Sequence, residues 1–458
     1  MKKLLITVLS FICIYNLYSQ DTISLSLDEA KEKAITSNIS ITNAELAVKA
    51  AEHNIKTSIA NGLPQIEGTI DYSYYFDYEI DFSTGGDASS TPEIDYTTLD
   101  EGDREIMKLL QGMSSGQSEP IIMEGSSSGN IQISQLIFSG QYWVGIETSK
   151  LAKLLSEKQL EQNKTDITES VTNVYSGILI LEQSVSVLES SIANLKKTFT
   201  KTAALVRAGL SEDTDTLQIQ MSINALSNNI SELKRNLDYN NTMLKFLLNI
   251  PYEKELVLSE NVDDFIDTQN IITSIEADYN VADNIEYQLV ETQVALSDKK
   301  VKLEKMSYLP TVAGFYTYNH KFKSTGIDMN PNHVIGLSLQ VPIFSSGKRH
   351  HTVQKAQIEA TRAQNNKTLM SKKIRMDIKQ AQYNLKNAYE NYTLQKNNIE
   401  LAETIYSKTQ KKYEYGVASS FELTQANNSY LEAQSNYLQA YMELCRAKNT
   451  LDKLTNSL

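Results

Sequence analysis

"QVPIFSSGKRHH", residues Gln340–His351, changes character halfway along. Through Phe344 it alternates as a strand does; after Gly347 it turns charged, and no proline follows for more than sixty residues. A shorter version, "QLIFSGQYW", stands at Gln135–Trp143. Each runs an alternating stretch into a Ser-Gly corner and then into a long tract free of proline, the strongest breaker of a helix interior. The reading is strand, corner, very long helix, made twice.

An internal repeat carries this pattern. Leu63-Pro64-x-x-x-Gly68 recurs as Leu309-Pro310-x-x-x-Gly314, 246 residues on, and Asn38-Ile39 pairs with Asn284-Ile285 at the same interval. Gly140 precedes Gly209 by 69 residues, as Gly347 precedes Gly416; Gln218 and Gln425 each follow the second glycine by nine. The first repeat has 39 more residues between its Leu-Pro and Ser-Gly corners. They fall in Ser83–Gly129, rich in Gly, Ser, Thr and acidic residues, with a short helical stretch at Asp103–Met113, and read as an enlarged loop.

The expected layout is a signal peptide at 1–19 and two repeats, 20–262 and 263–458. The first has a helix, strand 66–82, loop 83–129, strand 130–138, long helix 141–207, a turn near 209 and helix 211–249. The second has helix 280–308, strand 311–320, loop 321–332, strand 333–344, long helix 348–414, a turn near 416 and helix 418–455. In the long helix, Leu385, Tyr389, Tyr392, Ile399, Ala402, Ile405, Tyr406, Thr409 and Tyr413 form one narrow apolar stripe. Sixty-odd residues at about 1.5 Å each make a rod of about 100 Å, which must pack along other rods.

Between the helices the period drops to two. In Ile66–Phe82 the even positions are mostly Ile, Tyr and Phe and the odd ones mostly Glu, Asp, Ser and Thr. Ile335, Leu337, Leu339, Val341 and Ile343 likewise share a face, opposite Gly336, Ser338, Gln340 and Pro342. A half-buried soluble sheet alternates the same way. These strands are long and aromatic-rich, however, as membrane barrels are at their interfaces. Four strands are too few to close a barrel, so several chains would have to build one.

Composition points the same way. Lys2-Lys3 followed by the apolar Leu4–Leu17, with a cleavage point after Ser19, is a secretory signal pattern. Cys13 lacks the small preceding residue of a lipid-anchor signal, and the mature chain keeps one cysteine, Cys445, so no intrachain disulfide forms. No other stretch reaches the roughly 18 apolar residues of a spanning helix. The net charge of −13 argues against a nucleic-acid partner.

Taken together, the "LSLDEAKEKAITSNISI" opening, the two Leu-Pro corners, "LIFSG", "PIFSSG" and "YEYGVASSFELTQA" resemble the TolC family of outer-membrane efflux channels. The resemblance covers nearly the whole mature chain. It implies a mainly α fold with a membrane β-barrel: a long α-helical tunnel plus four β-strands per chain, in a homotrimer with a 12-stranded barrel. It also implies an outer-membrane location in a Gram-negative bacterium, with a large periplasmic portion in contact with outer-membrane lipid. The partners it implies are a periplasmic adaptor (membrane fusion) protein, docking at a tip marked by Arg207, Gly209, Tyr413 and Gly416, and an inner-membrane pump. Acids six and nine residues past the second tip glycine narrow the aperture in well-known members. The matching positions here are Glu422 and Gln425, so one acid is kept and one is lost; the first repeat offers Asp215 and Gln218 at the same offsets. Each acid also reads, on its own, as a solvated carboxylate favoured at a helix start.

No catalytic constellation, phosphate loop or zinc spacing is present in the sequence, and no cofactor is expected. His350 and His351 are adjacent on a helix, about 100° apart, and read with Lys348 and Arg349 as a basic collar below the barrel. Other classes remain open: a secreted coiled-coil adhesin, which leaves the matched strands unexplained, and a soluble periplasmic binding module, which needs a compact core.

Overall fold

The computed structural model describes residues 23–74, 76, 79–80, 121–122, 125–209, 212–262, 268–323 and 331–457. The expected signal peptide, the helical stretch at 103–113 and most of the loop 83–129 lie outside them. In chain order the elements are β1 Ile23–Leu25, α1 Leu27–Ser37, α2 Ile39–Ala60, β2 Gln65–Tyr74, β3 Glu79–Ile80, β4 Ile121–Ile122, β5 Gly125–Ser139, α3 Gly140–Arg207 and α4 Asp213–Leu247. There follow β6 Leu256–Leu258, α5 Thr268–Glu276, a 3₁₀ turn Val281–Asp283, α6 Ile285–Met306, β7 Thr311–Lys323, β8 His333–Gln340, α7 Lys348–Glu414 and α8 Ser420–Thr455.

The elements gather into two compact units, and neither is one sequence repeat. One takes its described residues from Met1–His53, Thr148–Val301 and Lys355–Leu458; the other from Asn54–Glu147 and Lys302–Gln354. Each unit therefore draws on both repeats.

The helical unit has a core threaded along the long helices. Val171, Tyr175 and Ile178 of α3, Leu244 of α4, Ile374 and Leu385 of α7 and Tyr441, Leu444 and Leu451 of α8 are all nearly inaccessible. Each such apolar side chain contributes about 1.5–3 kcal/mol over leaving it in water. Leu195, Ile219, Ile223 and Leu226 form a second, smaller cluster. The stretch around Ile178–Ile180 makes α3 long and apolar enough to cross a membrane by length and composition, contrary to the expectation of no such helix. Its buried side chains explain the composition: they line this core.

The repeated Asn-Ile pair has a structural meaning. Asn38, 6 % exposed, donates from Nδ2 to the Leu247 carbonyl at 2.8 Å, and its Oδ1 accepts from Ser40 N at 2.8 Å. Asn284, 3 % exposed, donates to the Leu454 carbonyl at 2.9 Å and accepts from Tyr287 N at 3.1 Å. In both repeats one amide caps a helix start and satisfies a free carbonyl at the end of the last helix.

Helix α7 has two apolar faces where the sequence suggested one. Ala356, Ile374, Ile378, Ala381, Leu385 and Tyr392 are buried. Leu369, Met376, Tyr383, Leu394, Leu401 and Ile405 are exposed, by 56 to 67 %. Their spacing of seven, seven, eleven, seven and four residues keeps them on one stripe, on the opposite side from the buried one. Ile405, grouped by sequence with the inner stripe, belongs to the outer one.

Small connections also escaped the sequence reading. Strands β1 and β6 pair in parallel, Ile23↔Leu256 to Leu25↔Leu258. Tyr175 Oη donates to the Leu25 carbonyl at 3.0 Å, and the Glu260 carboxylate accepts from Leu27 N at 3.1 Å. Gln382 on α7 donates to the carbonyls of Ile275 and Ala277, at 3.2 and 2.8 Å, at the end of α5.

The second unit holds a four-stranded antiparallel sheet in the order β2-β5-β7-β8. Its registers align Ile66↔Ile133↔Tyr316↔Ile335 on one face and Glu67↔Gln132↔Thr317↔Val334 on the other. The first face is apolar: Ile66, Ile70, Tyr72, Ile335, Leu337 and Leu339 are 65 to 84 % exposed. The other carries Glu67, Asp71, Asn130, Gln132, Asn319 and Lys321. Strand β2 stops at Tyr74; the ladder resumes at Glu79↔Ile122 with two extra residues on the first strand. Strand β8 ends at Gln340 rather than Phe344, since Pro342 has no N–H to give to a ladder.

The two Ser-Gly corners solve the same problem differently. In the second, Ser346 and Gly347 both have positive φ, 50° and 81°, and turn the chain before α7. In the first, β5 runs straight into α3 at Gly140, whose φ is ordinary. There glycine serves close packing: a Cβ would lie 2.6 Å from Leu309 Cδ1, at the second repeat's Leu-Pro corner.

Candidate pore tip

The sequence-matched glycines are the turns of two helical hairpins. Gly209, between α3 and α4, and Gly416, between α7 and α8, both have φ +73°. Gly209 N donates to Val206 O at 2.9 Å and Gly416 N to Tyr413 O at 3.0 Å, so both terminate a helix in the left-handed manner. Open space surrounds each, so a larger residue meets no clash but must hold a strained φ. Gly416→Val is expected to cost about 1 kcal/mol or more. Hydrogen exchange should report it as faster opening of 412–420, with exchange at Leu444 unchanged.

The next helices start unequally. Ser419 caps α8 in a full capping box: Glu422 N donates to Ser419 Oγ at 3.2 Å, and Ser419 N donates to Glu422 Oε2 at 2.7 Å. The S-x-x-E pattern of "SSFE" carried that signal. Glu212 precedes α4 with no side-chain cap. Asp215 instead reaches across: its Oδ1 accepts from Ser420 Oγ on α8, and Ser420 is only 6 % exposed. Asp215 and Glu422, equivalent by offset, thus have different partners. Gln218 and Gln425 are exposed on α4 and α8.

Further polar bonds join the hairpins. Thr202 Oγ1 and Tyr413 Oη form a short hydrogen bond, and Lys201 Nζ lies 3.5 Å from Glu414. Deeper in, Ser191 Oγ donates to Asn427 Oδ1 at 3.1 Å, both buried, and the rings of Tyr406 and Tyr430 stack 5.7 Å apart. Burial pushes the pKa of both phenols up. Arg207 Nε donates to Ala203 O at 3.1 Å, folding back along α3. Sequence reasoning missed Thr202, Ser191, Ser420 and Asn427, since small polar residues on a polar helix give no periodic signal. It also missed an exposed apolar rim of Leu205, Leu217, Met221, Tyr415, Val417 and Phe421. Among the described residues no cluster of three His, Cys, Asp or Glu side chains is placed to hold a metal.

A sheet with one exposed apolar face, alternating along the chain with two long helical hairpins, is the fold of an outer-membrane channel subunit. The description of the outer membrane efflux protein family matches residues 31–249 and 284–457, and the chain belongs to that family. The two matched segments fall one in each half of the chain, as the internal duplication requires. Among solved structures the chain is similar to CusC, described in relation to transmembrane channel formation, with TM-score 0.71, 13 % identity, and 97 % of this chain and 95 % of that one covered. It is similar to the outer membrane protein VceC of Vibrio cholerae, with TM-score 0.69, 12 % identity and coverage of 94 % and 95 %. The CmeC outer membrane channel of Campylobacter jejuni gives TM-score 0.69, 14 % identity and coverage of 94 % and 85 %. Sequence comparison with curated proteins finds no significant match.

Proposed function

We propose that three copies of this chain form a 12-stranded barrel in the outer membrane of a Gram-negative bacterium, continued by a helical tunnel in the periplasm. This trimer is the exit duct of a tripartite efflux or secretion system. Cargo arrives from an inner-membrane pump through a periplasmic adaptor that docks at Arg207, Gly209, Tyr413 and Gly416. The duct does no chemistry; it conducts.

The observation that carries the reading is the set of surfaces one chain leaves unsatisfied. The apolar sheet face stands exposed, and strands β2 and β8 each present an edge with no partner strand among the described residues. Joining β8 of one copy to β2 of the next repeats a head-to-tail contact that closes into a ring and removes every edge. The outer apolar stripe of α7 supplies the matching contact among the rods. Adaptor contact would open the tip by binding the open arrangement more tightly than the closed one.

At the aperture we place Asp215, Gln218, Glu422 and Gln425. Carboxylates converging from three chains raise the local negative potential and favour cations. Planar-bilayer recording of the purified protein should give conductance with mild cation selectivity. Glu422→Gln keeps the capping box while removing the charge. It should lower the cation-to-anion permeability ratio about twofold or more, whereas unchanged selectivity would remove Glu422 from the aperture. Absence of any conductance, with the protein recovered in the soluble periplasmic fraction, would overturn the channel itself.

A further inference from the structure

Helix α7 is strongly basic within an acidic chain: it carries 14 Lys and Arg against six Asp and Glu, while the whole chain has net charge −13. Lys372, Arg375, Lys379 and Lys386 follow one another by three, four and seven residues, so they lie on one side of the helix. All four are exposed. Among the described residues none has a carboxylate oxygen within 4 Å, unlike Lys355 and Lys367 on the same helix, which pair with Glu359 and Glu291. Four adjacent unpaired cations repel one another, a cost that a partner's negative charge would remove.

Three observations narrow the partner. The row's own four side chains are cationic; Thr368 and Gln382 border it on one side, and Met376 and Tyr383, four residues past Lys372 and Lys379, border it on the other. The stripe of Leu369, Met376 and Tyr383 runs beside the row on α7, so a copy of this chain has an apolar surface to pack on that leaves the cations at its margin. A protein partner of ordinary kind would seek an apolar anchor at the centre of its contact. Lastly, the helical rise sets Lys372 about 36 Å and Lys386 about 57 Å along α7 from the strand-to-helix corner at Lys348. That is several Debye lengths beyond lipid headgroups at the barrel rim.

We infer that this row binds a hydrated, carboxylate-bearing polymer of the periplasm, as presented by the peptides of the cell wall through which the tunnel would pass. The inference rests on the outer-membrane reading above. Each cation would meet one carboxylate in solvent, so the contact is a sum of weak terms and sensitive to salt. It would hold the tunnel in the wall without closing it.

The test is co-sedimentation of the purified full-length protein with insoluble, protein-free peptidoglycan sacculi at low salt. Binding should fall about tenfold or more for Lys372→Gln/Arg375→Gln/Lys379→Gln/Lys386→Gln, the scale expected for four exposed pairs. It should stay within about twofold for the equally charged control Lys355→Gln/Arg362→Gln/Lys373→Gln/Lys396→Gln. Sacculi whose carboxylates have been amidated should bind the unaltered protein no better than the first variant does, and 0.5 M salt should release it. Equal binding by both variants and the unaltered protein, or equal loss in both variants, would overturn the inference. So would dissociation of the first variant into monomers on size-exclusion chromatography, which would mean that another copy covers the row. Bilayer conductance of the same variants keeps the two readings apart: a conducting variant that no longer sediments supports both, and absent conductance in the unaltered protein counts against the channel alone.

Discussion

Met376→Asp combined with Tyr383→Asp should yield a folded chain that no longer assembles. Both side chains are 63 % exposed in one subunit, so neither change disturbs the core contacts of Ile374, Ile378 and Leu385 on the other side of α7. In a trimer using the outer stripe, each aspartate would be drawn out of water, a cost of about 2 kcal/mol or more apiece that an ion pair to Lys372 or Lys379 one turn away repays only in part. Two per contact weaken association by more than about a thousandfold. In detergent, light scattering should then report the mass of one chain instead of three, with the helical circular dichroism signal retained. Conductance should vanish with the trimer. A double variant that stays trimeric would show that α7 meets its neighbours by another face, and an unaltered protein that is monomeric would dispose of the homotrimer.

Tyr441→Ala is expected to give the largest loss of stability from a single substitution. Its ring is 2 % exposed, lies 5.9 and 6.5 Å from the rings of Tyr392 and Tyr437, and its hydroxyl donates to the Val262 carbonyl. Removing a buried aromatic ring costs about 3–5 kcal/mol. Tyr441→Phe keeps the ring and leaves the Val262 carbonyl without this donor, for about 1–3 kcal/mol. Urea unfolding followed at 222 nm should rank the unaltered protein above Phe and Phe above Ala. A loss below about 1 kcal/mol for Ala would mean that α8 is not held through this core.

Tyr441 also sets a pH limit. Burial raises its hydroxyl above the ordinary tyrosine range, and burial raises Tyr175 to about 12. A raised folded-state pKa means full stability below the unfolded value of about 10 and loss as pH climbs above it. The decline above pH 10 should therefore be shallower in Tyr441→Phe.

The corners, both long helices and the tip glycines were legible because each rests on local chemistry. Proline absence, a period of two or 3.6, and glycine at a left-handed turn leave marks at fixed positions. Element ends were less so: β2 ends at Tyr74, and Glu79–Ile80 pair with Ile121–Ile122 as a separate two-stranded sheet, a division that depends on the partner strand and not on the alternation of one. Between the hairpins, offset counting singled out Asp215 and Glu422 but not their hydrogen-bond partners. Ser419 lies three residues from Glu422 and was readable as a cap, whereas Ser420 meets Asp215 across 205 residues of chain.

By itself, the sequence determined the duplication and the alternation of strands with long rods, since these follow from periodicity and breakers along the chain, while its corner and turn motifs carried the resemblance to the family. Only the tertiary structure decided that each compact unit mixes both repeats and that Asn38 and Asn284 close their own repeats. It alone showed that α7 has a second apolar face and an unpaired cationic row. Those depend on which side of a helix meets a neighbour, and burial is a property of the packed chain, not of the residue.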